Sequence, residues 1–275
     1  MKTMNNRKIT ASTKLCAIIG NPIGHSLSPL VHNAAFEHLG LDCVFLAFEV
    51  EHLQEAVKGI AALGFKGVSV TIPHKVGVMD YLDEIEPVAQ RIGAVNTIVN
   101  RDGRLVGYNT DWIGAMKALE HRIDLRGKTA VVLGAGGAAR AIAFGLKERG
   151  AEPVILNRTV ARAEVLASGL KCRFGPIELI EKLSFDLVIN ATSVGMSPRA
   201  ESTPLNKAVL KNMLVFDTVY NPMKTRLIRE AEERGCPTVR GLEMFVNQAA
   251  MQFELWTGQK APLDLMRSVA AQELA

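Results

Sequence analysis

The stretch Lys128–Arg140, KTAVVLGAGGAAR, decides the fold. Ala130, Val131, Val132 and Leu133 form a short apolar run with the length and β-branching of a buried strand. Gly134-Ala135-Gly136-Gly137 follows at once, and from Ala138 the helix-compatible run AARAIAFGLKERG continues. Strand, glycine turn and helix in that order form the layout of a dinucleotide-binding crossover. Gly134 permits the tight turn, Gly136 lets backbone approach a pyrophosphate, and Ala139 is small enough for helix to pack on strand. The turn from Ala135 through Ala138 then offers free N–H groups and the positive end of a helix dipole to phosphates. A plain β–α turn also carries glycines, so the neighbouring segments must decide whether this one binds a nucleotide.

The next strand is informative. An NAD site carries an acidic residue about 20 positions past the glycines, bound to the ribose 2′-hydroxyl. Here that place holds Asn157, followed by Arg158 and Thr159, with Arg162 one helical turn later. A carboxylate would repel a 2′-phosphate, whereas two guanidiniums bind it through charge-assisted hydrogen bonds. The pattern selects NADP over NAD; the plain alternative is a pair of arginines solvated at a helix start.

Working outward, strands are predicted at Ala130–Leu133, Pro153–Leu156, Asp186–Asn190, Leu214–Asp217 and Pro237–Val239, with short helices between them. That alternation predicts a doubly wound parallel sheet. Gly241 opens a long helix with Leu242, Phe245, Val246, Ala249 and Phe253 on one face, and Pro262–Leu274 makes a last one. Upstream, Leu119–Gly127 reads as a junction between domains. Before it, Leu15–Gly20, Cys43–Val50 and Val68–Ile72 read as strands and Leu53–Leu63 as an amphipathic helix. Ser28-Pro29 predicts a helix start with Ser28 as N-cap, and Glu84–Gly93 reads as helical throughout. Thr97–Asn100 and Leu105–Tyr108 flank the turn Arg101-Asp102-Gly103-Arg104, an antiparallel pair expected at the sheet edge. Asp111 opens a helix whose dipole favours an acid there, and Lys75 lies just past a strand end beside Thr71. For both residues a purely structural role stays open at this point.

Composition excludes several classes. With 275 residues, 48% hydrophobic and 22% charged, the chain can bury a substantial core. The net charge of +4, from 32 basic and 28 acidic side chains without a basic block, argues against a nucleic-acid partner. No apolar run approaches the ~18 residues of a membrane span. Cys16, Cys43, Cys172 and Cys236 are scattered, without metal-ligand spacing, and read as reduced thiols. Residues 1–13 read as a disordered polar leader without a signal-peptide core, so the expected location is cytoplasmic.

Several separated segments together resemble the shikimate dehydrogenases. They are Gly20-Asn21-Pro22-Ile23 with His25-Ser26-Leu27-Ser28-Pro29, Val70-Thr71-Ile72-Pro73-His74-Lys75, Gly93-Ala94-Val95-Asn96-Thr97 and Gly107-Tyr108-Asn109-Thr110-Asp111. Beyond the glycine turn come Asn157-Arg158-Thr159, Asn190-Ala191-Thr192-Ser193, Tyr220-Asn221-Pro222, and Gly241-Leu242-Glu243-Met244 with Gln248. The resemblance implies reversible NADPH-dependent reduction of 3-dehydroshikimate to shikimate, a step of aromatic amino-acid biosynthesis. It implies an α/β fold of two domains: a mixed α/β substrate domain of residues 14–118 plus 242–275, and a doubly wound parallel, Rossmann-like NADP domain of residues 119–241. By the same resemblance Ser26 and Ser28 hold the substrate carboxylate, and Thr71, Asn96, Asp111 and Gln248 its ring hydroxyls, with Tyr220 nearby. Lys75 and Asp111 match the catalytic pair, and Thr218 and Gly241 match backbone contacts near the nicotinamide.

Those residue types suit the chemistry. Hydride moves between cofactor and a ring carbon, and the protein manages one proton on the developing alkoxide. A lysine ammonium can donate that proton, and a neighbouring aspartate would position it and keep it charged. One position departs from the pattern: Ser69 stands where the family often has asparagine, two residues before Thr71. The alternatives are a broader quinate/shikimate dehydrogenase and a metabolite sensor without turnover, which has no need of the Lys75–Asp111 pair. The expected partner is a small-molecule substrate, with the protein a monomer or homodimer.

Overall fold

The computed structural model describes residues 8–275. Two six-stranded sheets divide the chain. The first contains β1 (Lys14–Gly20), β2 (Cys43–Glu49), β3 (Gly67–Val70), β4 (Glu84–Ile85), β5 (Thr97–Arg101) and β6 (Arg104–Tyr108), in the order β2-β1-β3-β5-β6-β4. Helices α1 (Ser28–His38), α2 (Leu53–Ala62) and α3 (Pro87–Ile92) connect these strands. Both faces of this sheet are covered, so strand alternation sends neighbouring residues to different cores. Cys16 and Ile18 pack with Phe36 and Phe45 on one face, while Ala17 and Ile19 pack with Val57, Val68 and Ile98 on the other. That double burial is why Leu15–Ile19 is apolar without interruption.

After α4 (Asp111–Glu120) the second sheet forms from β7 (Thr129–Leu133), β8 (Glu152–Leu156), β9 (Arg173–Gly175), β10 (Leu187–Asn190), β11 (Leu214–Asp217) and β12 (Thr238–Val239). Helices α5 (Gly137–Glu148), α6 (Val160–Leu170) and α7 (Arg226–Glu233) link them. Every strand pair is parallel, in the order β12-β11-β10-β7-β8-β9. The order reverses between β7 and β10, and the crevice beyond the carboxyl ends of such a pair is where α/β sheets bind ligands. The chain then returns through α8 (Gly241–Thr257) and α9 (Leu263–Glu273) to the first sheet, where Phe245, Val246, Ala249 and Phe253 join the core with Phe36.

Helix α4 ties the halves together by packing on both α8 and α5. Gly114 makes the α4–α8 approach possible: a Cβ there would lie 2.8 Å from Met244 O and 2.9 Å from Gln248 N. A second junction is apolar, with Ile92 and Ala94 packed against Ala141 and Phe144 of α5.

Three expectations need amendment, one strand was missed, and the leader expectation is covered only in part. Ser28 is not an N-cap: the Leu27 carbonyl accepts the first helical bond, from Val31 N at 3.1 Å, so Leu27 holds that position and Ser28 is the first residue of the helix. Glu84–Gly93 is not one helix; Glu84 and Ile85 pair with Val106 and Gly107, and the Glu86 carboxylate then caps α3 through the N–H groups of Val88 and Ala89. In the hairpin only β5 runs against its neighbours, and β4 covers the outer edge. Strand β9 was unexpected because Arg173-Phe174-Gly175 is short and two-thirds exposed. The leader expectation over residues 1–7 lies outside the described residues. Over 8–13 the chain makes a turn, and the Ser12 and Thr13 hydroxyls donate to Asp42 at 3.2 and 2.7 Å.

Candidate active site

The polypeptide beyond β3 brings Lys75 to the mouth of the crevice, and the first turn of α4 brings Asp111 to meet it. Lys75 Nζ donates to Asp111 Oδ2 at 2.6 Å, with the side chains 15% and 5% exposed. The carboxylate does not cap its own helix. Its other oxygen, Oδ1, accepts from Asn96 Nδ2 at 2.9 Å, and its backbone N–H donates to Asn109 Oδ1 at 3.0 Å. An aspartate present only for the helix dipole would face water; this one is turned inward and used by both oxygens. A pair removed from water this far carries a desolvation cost that surrounding hydrogen bonds must offset.

Asn96 organises the floor. Its Oδ1 accepts from Thr110 N at 2.7 Å and from the Thr97 hydroxyl at 2.8 Å, which leaves Nδ2 facing Asp111 and, at 3.4 Å, Gln248 Oε1. The Gln248 amide nitrogen donates to Phe245 O at 3.0 Å, so its oxygen is held toward Asn96. Thus Lys75, Asp111, Asn96 and Gln248, spread over 173 positions of sequence numbering from 75 to 248, form one cluster.

Thr71 stands over Gly20: a Cβ on that glycine would lie 2.4 Å from Thr71 Cγ2. Ser26 and Ser28 flank Leu27, whose backbone hydrogen-bonds to Tyr220 from the second half of the chain. Burial pushes the Tyr220 phenol up to about 12, and its ring packs on Phe245 at 4.7 Å between centroids. Tyr220 therefore joins the two serines to α8.

On the other wall, Gly134 ends β7 at φ +112°, a conformation open to glycine and costly for L side chains. Ala135 follows, Gly136 caps α5 with open space at its Cβ position, and Gly137 and Ala138 form the first helical turn. Backbone N–H groups at the start of this 12-residue helix thus face the crevice. Asn157 ends β8 and donates from Nδ2 to Thr159 O at 2.9 Å, fixing the turn into α6. Arg158, Thr159 and Arg162 are exposed there, and among the described residues neither arginine is in an ion pair. Unpaired guanidiniums beside an open glycine turn fit a phosphorylated nucleotide. Thr218 and Gly241 also meet: a Cβ on Gly241 would lie 2.4 Å from Thr218 O.

The two walls are close. A Cβ on Gly137 would lie 2.8 Å from Lys75 Cβ. Among the described residues no cluster of three metal-ligating groups occurs, and no helix is long and apolar enough to cross a membrane.

Sequence reasoning missed the bracket under Thr218 and Tyr220. Asp217, fully buried, accepts from Thr225 Oγ1 at 2.6 Å, Asn190 Nδ2 at 2.9 Å and Val219 N at 3.0 Å. Burial outweighs these donors and pushes its carboxyl from 3.8 up to about 6. An acid raised in the folded state contributes stability below its unfolded value and loses it as pH rises through the folded value. The difference in unfolding free energy between the protein and Asp217→Asn should therefore fall by about 2 kcal/mol from pH 4 to pH 7. Urea titrations at several pH values check this; a pH-independent difference would rule it out. The visible signal was an aspartate ending an otherwise apolar strand.

Three family models match the chain: shikimate dehydrogenase substrate binding domain over residues 18–98, shikimate / quinate 5-dehydrogenase over 115–221, and shikimate 5′-dehydrogenase C-terminal domain over 241–270. A curated relative from Bacillus cereus, shikimate dehydrogenase (NADP(+)), is 46% identical over 273 residues, covering 95% of this chain and 99% of that one. A crystal structure of a shikimate dehydrogenase in complex with NADP+ matches with TM-score 0.92 and 41% identity over 98% of each chain. The shikimate 5-dehydrogenase of Thermus thermophilus, in complex with NADP(H) and shikimate, matches with TM-score 0.87 and 40% identity over 94% of this chain and 99% of that one.

Proposed function

The chain belongs to the shikimate dehydrogenase family, and from that premise we propose that it catalyses the reversible NADP-dependent reduction of 3-dehydroshikimate to shikimate. One observation carries this reading furthest: the buried Lys75–Asp111 pair stands against the glycine turn at Gly137, so proton-handling groups and nucleotide cradle share one crevice. A ligand sensor has no use for such a pair.

We assign residues 14–118 plus 242–275 to the substrate domain and 119–241 to the NADP domain. Gly134 to Ala138 would hold the pyrophosphate, Arg158 and Arg162 with Asn157 and Thr159 the 2′-phosphate side, and Thr218 and Gly241 the nicotinamide side. Bound NADPH supplies the reducing equivalent; the chain's own groups do the rest. Ser26 and Ser28 orient the substrate carboxylate, aided by the Leu27–Tyr220 contact, while Thr71, Asn96, Asp111 and Gln248 fix the ring hydroxyls. Lys75 donates its proton to the oxygen that becomes alkoxide, and Asp111 holds the ammonium in place.

The test is absorbance of the reduced cofactor, NADPH or NADH, formed from shikimate or quinate, each with NADP or NAD. Turnover of shikimate with NADP is expected; none with any pair overturns the enzyme reading, and faster turnover of quinate moves the substrate assignment. In the same assay, Arg158→Ala with Arg162→Ala should raise the KM for NADP by about tenfold or more and leave that for NAD nearly unchanged. Equal changes for both cofactors would remove these arginines from the 2′-phosphate site.

A further inference from the structure

Gln252 lies one turn beyond Gln248 on α8, fully buried, and the proposed reaction gives it no task. Its amide nitrogen shares two hydrogens among three acceptors: Ser69 Oγ at 3.1 Å, Asn96 O at 3.1 Å and Thr97 Oγ1 at 3.0 Å. These partners lie on the paired strands β3 and β5, where Ser69 faces Thr97 in register, or just before β5. The helix reaches them because Gly67, on the same face of β3 as Ser69, has no side chain: a Cβ there would lie 2.1 Å from the Trp256 ring. One turn after Gln252, Trp256 Nε1 donates to Ile98 O at 3.0 Å. Two side chains of α8 thus clamp the backbone that carries Asn96.

The bonds also have a direction. A hydroxyl that receives a hydrogen bond from an amide nitrogen has its own proton left to give elsewhere. Thr97 gives it to Asn96 Oδ1, at 2.8 Å. That leaves Asn96 Nδ2 aimed at Asp111 Oδ1, whose partner oxygen holds Lys75. Ser69 carries a hydroxyl and supplies no amide from β3. Gln252 brings one in from α8.

We propose that Gln252 is a positioning residue of this reaction: its buried amide, set against Ser69, Thr97 and Asn96, fixes the orientation in which Asn96 holds the Lys75–Asp111 pair. The proposal rests on the dehydrogenase reading above. Thr110 N–H supports the same orientation of Asn96 at 2.7 Å, so loss of Gln252 should impair the pair without abolishing it.

The experiment measures kcat, KM for shikimate, KM for NADP and thermal midpoint in four proteins: wild type, Gln252→Leu, Gln252→Ala, and Gln252→Ala combined with Ser69→Asn. In the single variants kcat should fall about tenfold while KM for NADP stays within about twofold. The asparagine at 69 returns an amide to the vacated space and should restore about threefold or more of kcat. If the leucine variant does not fold, Gln252→Asn, a shorter amide that cannot reach Asn96, carries the same expectation. A kcat within about twofold of wild type in folded single variants overturns the proposal, as does a loss that Ser69→Asn leaves untouched. Wild type without shikimate turnover would instead remove the reading on which the proposal stands, so the two failures are distinguishable.

Discussion

Replacing Lys75 by methionine is expected to lower kcat for shikimate oxidation about a thousandfold, with the affinity for NADP nearly unchanged. Methionine keeps most of the stem that packs against Gly137 and deletes only the ammonium. What is lost is the group 2.6 Å from Asp111 that can hold a proton at the reacting oxygen. Positioned acid–base catalysis is worth about a hundredfold to ten-thousandfold, and a partly desolvated charge lies in the middle of that range or above. The variant also leaves Asp111 buried without its cation, which costs about 3 kcal/mol of stability, so the thermal midpoint must be recorded alongside the rate. Rate loss in a folded protein that still binds NADP is the expected result. Parallel loss of NADP binding would make Lys75 a structural cation.

Asp111→Asn should be the next most damaging change, lowering kcat about a hundredfold or more. The amide matches the carboxylate in shape but carries no charge, and one of its two positions becomes a donor. Whichever way it turns, it faces either Lys75 Nζ or Asn96 Nδ2 with like polarity, because both present hydrogens to Asp111. The lysine loses its anchor, and the orientation set by Asn96 loses its target. Because both residues act through one hydrogen-bonded unit, the double variant Lys75→Met/Asp111→Asn should be scarcely slower than Lys75→Met alone. Multiplying losses in the double variant would mean that the two groups act independently.

Much of the architecture was legible because local chemistry and tertiary packing agree. The run Ala130–Leu133 is apolar at every position because β7 is covered on both faces, with Ala130 and Val132 in one core and Val131 and Leu133 in the other. Gly134 is legible because its φ of +112° demands glycine. Where readings failed, a tertiary partner overrode the local signal. Ser28 has the composition of a cap, but the Leu27 carbonyl already accepts from Val31 N, so the helix starts one residue earlier than the Ser-Pro pattern says. Glu84 and Ile85 continue a helical pattern, but a free edge on β6 recruits them as a strand.

The sequence by itself determined most of the strands and helices in order, the glycine turn after β7, the arginines that follow β8, and the segments through which the family is recognised. Each depends on residues close together in the chain, where periodicity, capping and glycine chemistry operate. Only the tertiary structure decided that Asp111 turns inward to Lys75, that Gly137 brings the glycine turn against that pair, and that Asp217 braces the Tyr220 loop. It alone placed Gln252 beneath Asn96. These contacts join residues as far apart as 96 and 252, and their direction is set by hydrogen-bond geometry across packed elements, which no local pattern encodes.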